Sequence, residues 1–188
     1  MTLDVLSGGR AILGCGVGWL QEEFEIIGRD FKTRGAVMDE TILLLKQLWT
    51  QRVIEFKGKH LSYGPIMFEP KPVRKPHPPI VIGGTTPAAL KRAARLGDGW
   101  MSTGDEFETT KAKLAQLREM LKENGRERAP FEVTVSSALA DMDTVRRFEE
   151  IGVDRLLVSP VNVRQKTSPQ EFMDNLSRVA ERVIAKAA

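Results

Sequence analysis

The stretch that most constrains this chain is Arg10-Ala11-Ile12-Leu13-Gly14-Cys15-Gly16-Val17-Gly18-Trp19, read together with Pro79-Ile80-Val81-Ile82-Gly83-Gly84-Thr85-Thr86. Each is a short, uninterrupted apolar run that ends in glycines and is followed by residues at helical spacing. Short continuous apolar runs are what strands of a parallel sheet look like when both faces are covered. A parallel strand needs a crossover to reach its neighbour, so the pattern predicts strand, tight turn and helix. In such folds the turn after the strand is where a ligand sits. Glycine permits positive φ and lets backbone N–H groups approach a bound group. Amides at a helix start favour an anion such as a phosphate. The alternative is that these glycines only make tight turns.

The same unit recurs along the chain. Residues 1–7 read as the tail of a helix stopped by Gly8 and Gly9, and residues 11–14 as a buried strand. A short helix at 20–27 places Leu20, Phe24 and Ile27 on one face. A longer one at 34–50 carries Met38, Ile42, Leu45 and Trp49 at helical spacing, widened by Leu44 and Leu48. Val53–Tyr63 reads as two short strands around Lys57-Gly58-Lys59. Six of the ten prolines then fall between Pro65 and Pro79. Proline fixes φ and lacks an N–H, so this piece is extended and is neither helix nor central strand. Strands are expected at 80–82, 99–101, 131–135 and 153–158. Helices are expected from Pro87 to Leu96 with Thr86 as N-cap, at 107–123 stopped by Asn124-Gly125, and at 144–151 N-capped by Asp143. Ser168-Pro169-Gln170-Glu171 is a capping box that opens a last helix bearing Phe172, Leu176, Val179 and Val183. The chain reads as one α/β domain over 1–188, with 51–79 as a hairpin and proline-rich insertion. From pattern alone, five strand–helix units suggest an open doubly wound sheet.

With 188 residues the chain falls short of the roughly 200–250 a closed eight-unit barrel needs. Its net charge of +3 and 6% aromatic content give no basis for nucleic-acid binding. No run of apolar residues is long enough to span a membrane. Cys15 is the single cysteine, which fits a reducing interior, so the expected compartment is the cytoplasm. His60 and His77 are isolated, so no metal site is expected. Gly14-x-Gly16-x-Gly18 does not meet the GxGxxG spacing, which argues against a simple dinucleotide fold.

Several ordered stretches carry a resemblance. Leu3-Asp4-Val5-Leu6-Ser7-Gly8-Gly9-Arg10, Leu13 to Trp19, Glu22-Glu23-Phe24 and Gly28 resemble the luciferase-like monooxygenase family, above all members that use the deazaflavin coenzyme F420. Pro72 to Gly84 and Gly97-Asp98-Gly99-Trp100 match further hallmarks in family order, up to about residue 159. The resemblance implies a TIM barrel of the (β/α)₈ type that is incomplete here, with about five of eight units corresponding to strands four to eight. It implies a flavin or F420 at the strand ends. Gly14, Cys15, Gly16, Val17 and Gly18 would lie along the ring system. Gly83, Gly84, Thr85 and Thr86 would hold the phosphate, and Gly99, Trp100 and Met101 would stand nearby. Val17 occupies the place of an arginine that contacts phosphate in FMN-dependent members, which favours F420 over FMN. Trp19 stands where sugar-phosphate dehydrogenases of the family have a catalytic glutamate; its other reading is a core tryptophan. Cys15 reads as a buried inert thiol, Trp49 as core and His77 as structural. Arg10 is an anion ligand or a partner of Asp4, and Asp98 a partner of Arg95 or a turn cap.

The implied function is hydride transfer between F420 and a small organic substrate. The alternatives are an FMN-dependent monooxygenase and a non-catalytic flavin-binding remnant or partner subunit. An incomplete barrel would leave the strands at 11–14 and 153–158 as unpaired edges. The expected partners are therefore a second copy or a missing N-terminal half.

Overall fold

The computed structural model describes residues 1–102, 104, 106–137, 141–158 and 167–185. In chain order the elements are α1 (Thr2–Leu6), β1 (Leu13–Cys15), α2 (Gln21–Ile26), a 3₁₀ turn (Phe31–Thr33), α3 (Arg34–Thr50), β2 (Val53–Lys57), β3 (Ser62–Met67), β4 (Ile80–Gly83), α4 (Pro87–Leu96), β5 (Gly99–Ser102), α5 (Phe107–Glu123), β6 (Glu132–Ser137), α6 (Met142–Glu150), β7 (Arg155–Val158) and α7 (Pro169–Val179), which runs on as a π-helical turn (Ala180–Ile184). Five strands form one sheet in the order β1-β4-β5-β6-β7, every pair parallel. β2 and β3 form a separate antiparallel hairpin.

The strand order follows the chain order, with no reversal. A doubly wound sheet requires a reversal and places helices on both faces, so the arrangement suggested by pattern alone is not the one adopted. The packing agrees. Register aligns Cys15, Ile82, Trp100 and Val133 in one row, and Ser102, Val135 and Leu156 in another. Ile80, Ile82, Trp100, Val133 and Val135 share one apolar core with Ile42 and Trp49 of α3, Leu90 and Ala93 of α4, Leu114 and Leu117 of α5 and Phe148 of α6. These four helices therefore cover the same face. The other face carries Gly14, Val81, Gly83, Met101, Thr134 and Arg155, because successive residues of a strand alternate sides. Here Arg155 binds Glu132 through two bonds, with Nη1–Oε1 at 2.7 Å and Nη2–Oε2 at 3.1 Å. β1 and β7 are the sheet edges, and neither pairs with a further strand among the described residues.

The ends of the strands where chains enter are tied by one repeated device. Asp98 N–H donates to the Ile80 carbonyl (2.7 Å), and Asp98 Oδ2 accepts from Ile80 N–H (3.0 Å). Asp154 does the same to Val133, at 2.9 and 2.7 Å. Each aspartate follows a glycine that ends a helix and brackets the preceding strand's first residues. The turn-cap reading of Asp98 is thus the one adopted, while Arg95 lies instead near Asp39 (3.8 Å). Asp4 does not hold Arg10: its Oδ2 accepts from Val73 and Arg74 N–H, and Arg10 Nε donates to the Ser7 carbonyl.

Other differences from the sequence expectations are local. The N-cap of α6 is Asp141, whose carboxylate accepts from Thr144 N–H; Asp143 lies inside the first turn. β3 continues through Pro65 to Met67, which a hairpin edge tolerates because no ladder bond need be donated there. Ile27, Phe172 and Leu176 lie exposed rather than on buried stripes.

Candidate functional site

At the far ends of β1 and β4 the two glycine turns meet. The strands pair Cys15 with Ile82, so the turn after each begins side by side. A Cβ on Gly83 would lie 3.6 Å from the Cys15 carbonyl oxygen. Gly14 and Gly16 face open space: a Cβ added at either meets nothing within 4 Å. A shelf of bare backbone results on the face the helices leave uncovered, with Met101 of β5 beside Gly83.

Both turns depend on a glycine in the left-handed region. Gly18 has φ +82°, and a Cβ there would run 2.8 Å from the Phe24 ring. Its carbonyl accepts from Arg34 Nε at 3.3 Å, and the Arg34 guanidinium lies 3.6 Å over the Phe31 ring. Gly84 has φ +115°. Its N–H donates to the Met101 carbonyl (3.2 Å), and its own carbonyl accepts from the Trp100 indole Nε1–H (2.8 Å). Thr86 caps α4 by accepting from Ala89 N–H, and Pro87 is the first helical residue. The first α-helical bond runs from Leu90 N–H to the Thr86 carbonyl. The amides of Thr85, Thr86 and Ala88 are left without an acceptor among the described residues. Such donors at a helix start suit an anion.

The structure thus brings Gly14, Cys15, Gly16, Val17, Gly18, Gly83, Gly84, Thr85, Thr86 and Met101 to one end of the sheet. Cys15 contributes backbone there, because its side chain packs against the core and burial pushes the thiol pKa up. Gly99 and Trp100 stand on the neighbouring strand β5, level with Gly14 and Cys15. Gly99 opens β5 in the same register row as Gly14 and Val81, where its missing side chain lets Glu132 and Val81 come close. Trp100 is 0% exposed and reaches the turn only through the Gly84 carbonyl. Trp19, expected either in the core or near a reacting atom, is 83% exposed, because the turn at Gly18 carries the chain outward.

Beside Val17 a cavity of about 430 Å³ opens between α2, α3 and the hairpin. Phe24, Val37, Met38 and Leu61 supply apolar wall, while Arg29 and His60 supply polar atoms. The hairpin that closes it is held by Glu40, whose carboxylate accepts from the amides of Lys59, His60 and Leu61 at 2.8–2.9 Å. Desolvation pushes the Glu40 pKa up, but these three amides outweigh it and hold it below the ordinary glutamate value. Glu40 lies beyond the first turn of α3, so its carboxylate serves the hairpin and not the helix dipole. Nothing in the spacing of a glutamate within a helix announces three amides about twenty residues on. Arg34 and the Glu132–Arg155 pair were missed for the same reason.

A model of the luciferase-like monooxygenase family matches residues 1–180. The chain belongs to that family. A protein of Mycobacterium tuberculosis (strain ATCC 25618 / H37Rv) is 35% identical over 190 residues, covering 98% of this chain and 65% of that protein. An FMNH(2)-dependent dimethylsulfone monooxygenase of Pseudomonas putida is 33% identical over 127 residues, 66% of this chain and 35% of that enzyme. Among solved structures, the monooxygenase RslO1 from Streptomyces bottropensis superposes with a TM-score of 0.76 at 19% identity, covering 100% of this chain and 72% of that one. The coenzyme F420-dependent tetrahydromethanopterin reductase from Methanopyrus kandleri gives 0.74 at 16% identity, covering 98% and 76%. The fold is therefore that of the luciferase-like TIM barrels, seen here as an open sheet of five parallel strands. The chain spans 65% of the length of its M. tuberculosis relative. Luciferase-like relatives and structural neighbours include both FMNH(2)-dependent and F420-dependent enzymes. No helix among the described residues is long and apolar enough to cross a membrane.

Proposed function

We propose that this chain carries the cofactor side of an F420-dependent oxidoreductase acting on a small organic substrate. The observation that carries the reading is the bare shelf over Gly14 and Gly16 beside a helix start with unpartnered amides. A flat ring system needs backbone without side chains beneath it, and a phosphate needs oriented donors. Both lie at adjacent strand ends, so the residues present suit a phosphorylated deazaflavin. When bound, F420 supplies a two-electron hydride carrier.

The chain's own part is positional. Gly14, Gly16 and Gly18 leave room along β1, Thr85, Thr86 and Ala88 offer amides, and Met101 gives an apolar flank. The cavity beside Val17 is the recess for the substrate. Its apolar wall excludes water, and Arg29 and His60 suit a substrate with a polar end. Val17 itself is uncharged, which suits F420 better than FMN on the family's pattern. A cytoplasmic enzyme working with a second copy or an N-terminal half that pairs along β1 and β7 is consistent with the open edges.

The test is anaerobic fluorescence titration with F420 and, separately, FMN, alongside the elution volume. Saturable micromolar binding of F420, at least tenfold tighter than FMN, is expected. Tighter FMN binding would turn the assignment to a monooxygenase. Failure of both with a folded, monodisperse chain would refute a cofactor site built by these residues alone.

A further inference from the structure

We propose that Trp100 is a positioning residue that sets the phosphate turn, acting from inside the core rather than by touching the cofactor. The inference rests on the reading of Gly83–Thr86 as an anion turn. It starts from a completely buried tryptophan. A buried indole N–H needs an acceptor, and here it is the Gly84 carbonyl at 2.8 Å. That carbonyl belongs to the peptide joining Gly84 to Thr85. In a trans peptide the C=O and N–H groups point in opposite directions. Drawing the carbonyl toward Trp100, on the helix-covered face, turns the Thr85 N–H away from that face.

Nothing else nearby would hold this orientation. Gly84 has φ +115°, a region open to glycine, so its flanking peptides rotate with little steric resistance. The preceding peptide is fixed by the Gly84 N–H to Met101 bond. The following one is fixed at its carbonyl by Trp100 alone among the described residues. One side chain on β5 therefore orients an amide on the β4–α4 turn, and it does so through the neighbouring strand pairing Ile82 with Trp100. Its aromatic surface is spent on the core with Ile82, Val133 and α4 and α5, and none is left for stacking on a ligand.

The experiment compares Trp100→Phe with the wild type in two ways. The first is binding of phosphorylated and phosphate-free chromophores: F420 against its phosphate-free deazaflavin–ribitol fragment, and FMN against riboflavin. The wild type is expected to prefer the phosphorylated partner. W100F is expected to lose about tenfold of that preference, the scale of one hydrogen bond, with affinity for the phosphate-free chromophore unchanged. Equal loss for both chromophores, or none for either, would overturn the proposal. The second is amide hydrogen exchange without ligand. W100F is expected to speed exchange at Gly84 and Leu90 while leaving Leu117 in the core protected. Uniform acceleration, or no change at Gly84, would overturn it. If the wild type shows no phosphate preference, the anion reading of the turn fails, and the exchange result still decides whether Trp100 holds it. Should W100F not fold, replacement of Trp100 by β-(3-benzothienyl)alanine keeps the ring shape and removes only the N–H.

Discussion

Gly14→Ala and Gly99→Ala look alike on paper and are expected to behave in opposite ways. Both remove a glycine from a strand beside the candidate site. At Gly99 the new Cβ would sit 2.6 Å from the Glu132 carbonyl oxygen and 3.2 Å from Val81 Cγ2. The first of these is backbone of the adjacent strand, so relief requires β5 and β6 to separate. Overpacking costs about 1–3 kcal/mol, and a clash with backbone belongs at about 3 kcal/mol on that scale. For a chain of this size that lowers Tm by about 6–12 °C. At Gly14 the Cβ meets nothing within 4 Å. Alanine in a strand also recovers about 0.5–1 kcal/mol relative to glycine, so stability should hold or rise slightly. The methyl instead occupies the shelf, and F420 affinity should fall at least ~tenfold, equivalent to about 1.4 kcal/mol. Thermal unfolding followed by circular dichroism, paired with fluorescence titration, reads both quantities. A destabilised G14A, or a G99A with unchanged Tm and weakened cofactor binding, would refute the division of these glycines into shelf and spacer.

Asp98→Ala should leave the Ile80 N–H without its acceptor and cost about 1–3 kcal/mol, seen as a lower urea midpoint at unchanged slope. Glu40 has a folded pKa below its unfolded one, so its contribution is present above the ordinary glutamate range and is lost as pH falls through the folded value. Wild-type stability should therefore drop more steeply between pH 6 and pH 3 than that of Glu40→Gln; parallel pH profiles would show that the three amides do not depend on the charge. Cys15, with its thiol pKa raised by burial, should alkylate with iodoacetamide more slowly in the native state than after unfolding in urea at the same pH. Equal rates would mean the thiol is open to solvent.

Much of the fold was legible because it rests on local rules. Thr86 and Pro87 announce a helix start, Asn124-Gly125 a stop, and Ser168 to Glu171 a capping box; all three stand where expected. The curl of the sheet was not legible from pattern, since a strand buried on both sides looks the same in a barrel and in a doubly wound sheet. Only the family motifs separated them. Within the site, the turns at Gly16–Gly18 and Gly83–Thr86 could be read because positive φ and helix capping are encoded in adjacent residues. The roles of Trp100, Arg34 and Glu40 could not, because each acts on backbone 16 to 21 residues away. Gly99 shows the converse: a glycine inside a motif, needed for the gap between strands.

The three tryptophans divide the molecule optically. Trp49 and Trp100 are sealed in the core, whereas Trp19 stands in solvent immediately after Gly18. Acrylamide or iodide should quench Trp19 and spare the other two, so the long-wavelength part of the emission belongs to a single residue at the lip of the shelf. The chain therefore carries its own reporter: occupancy of the β1 turn can be followed by the colour and quenching of one indole, while the other two register whether the sheet is intact.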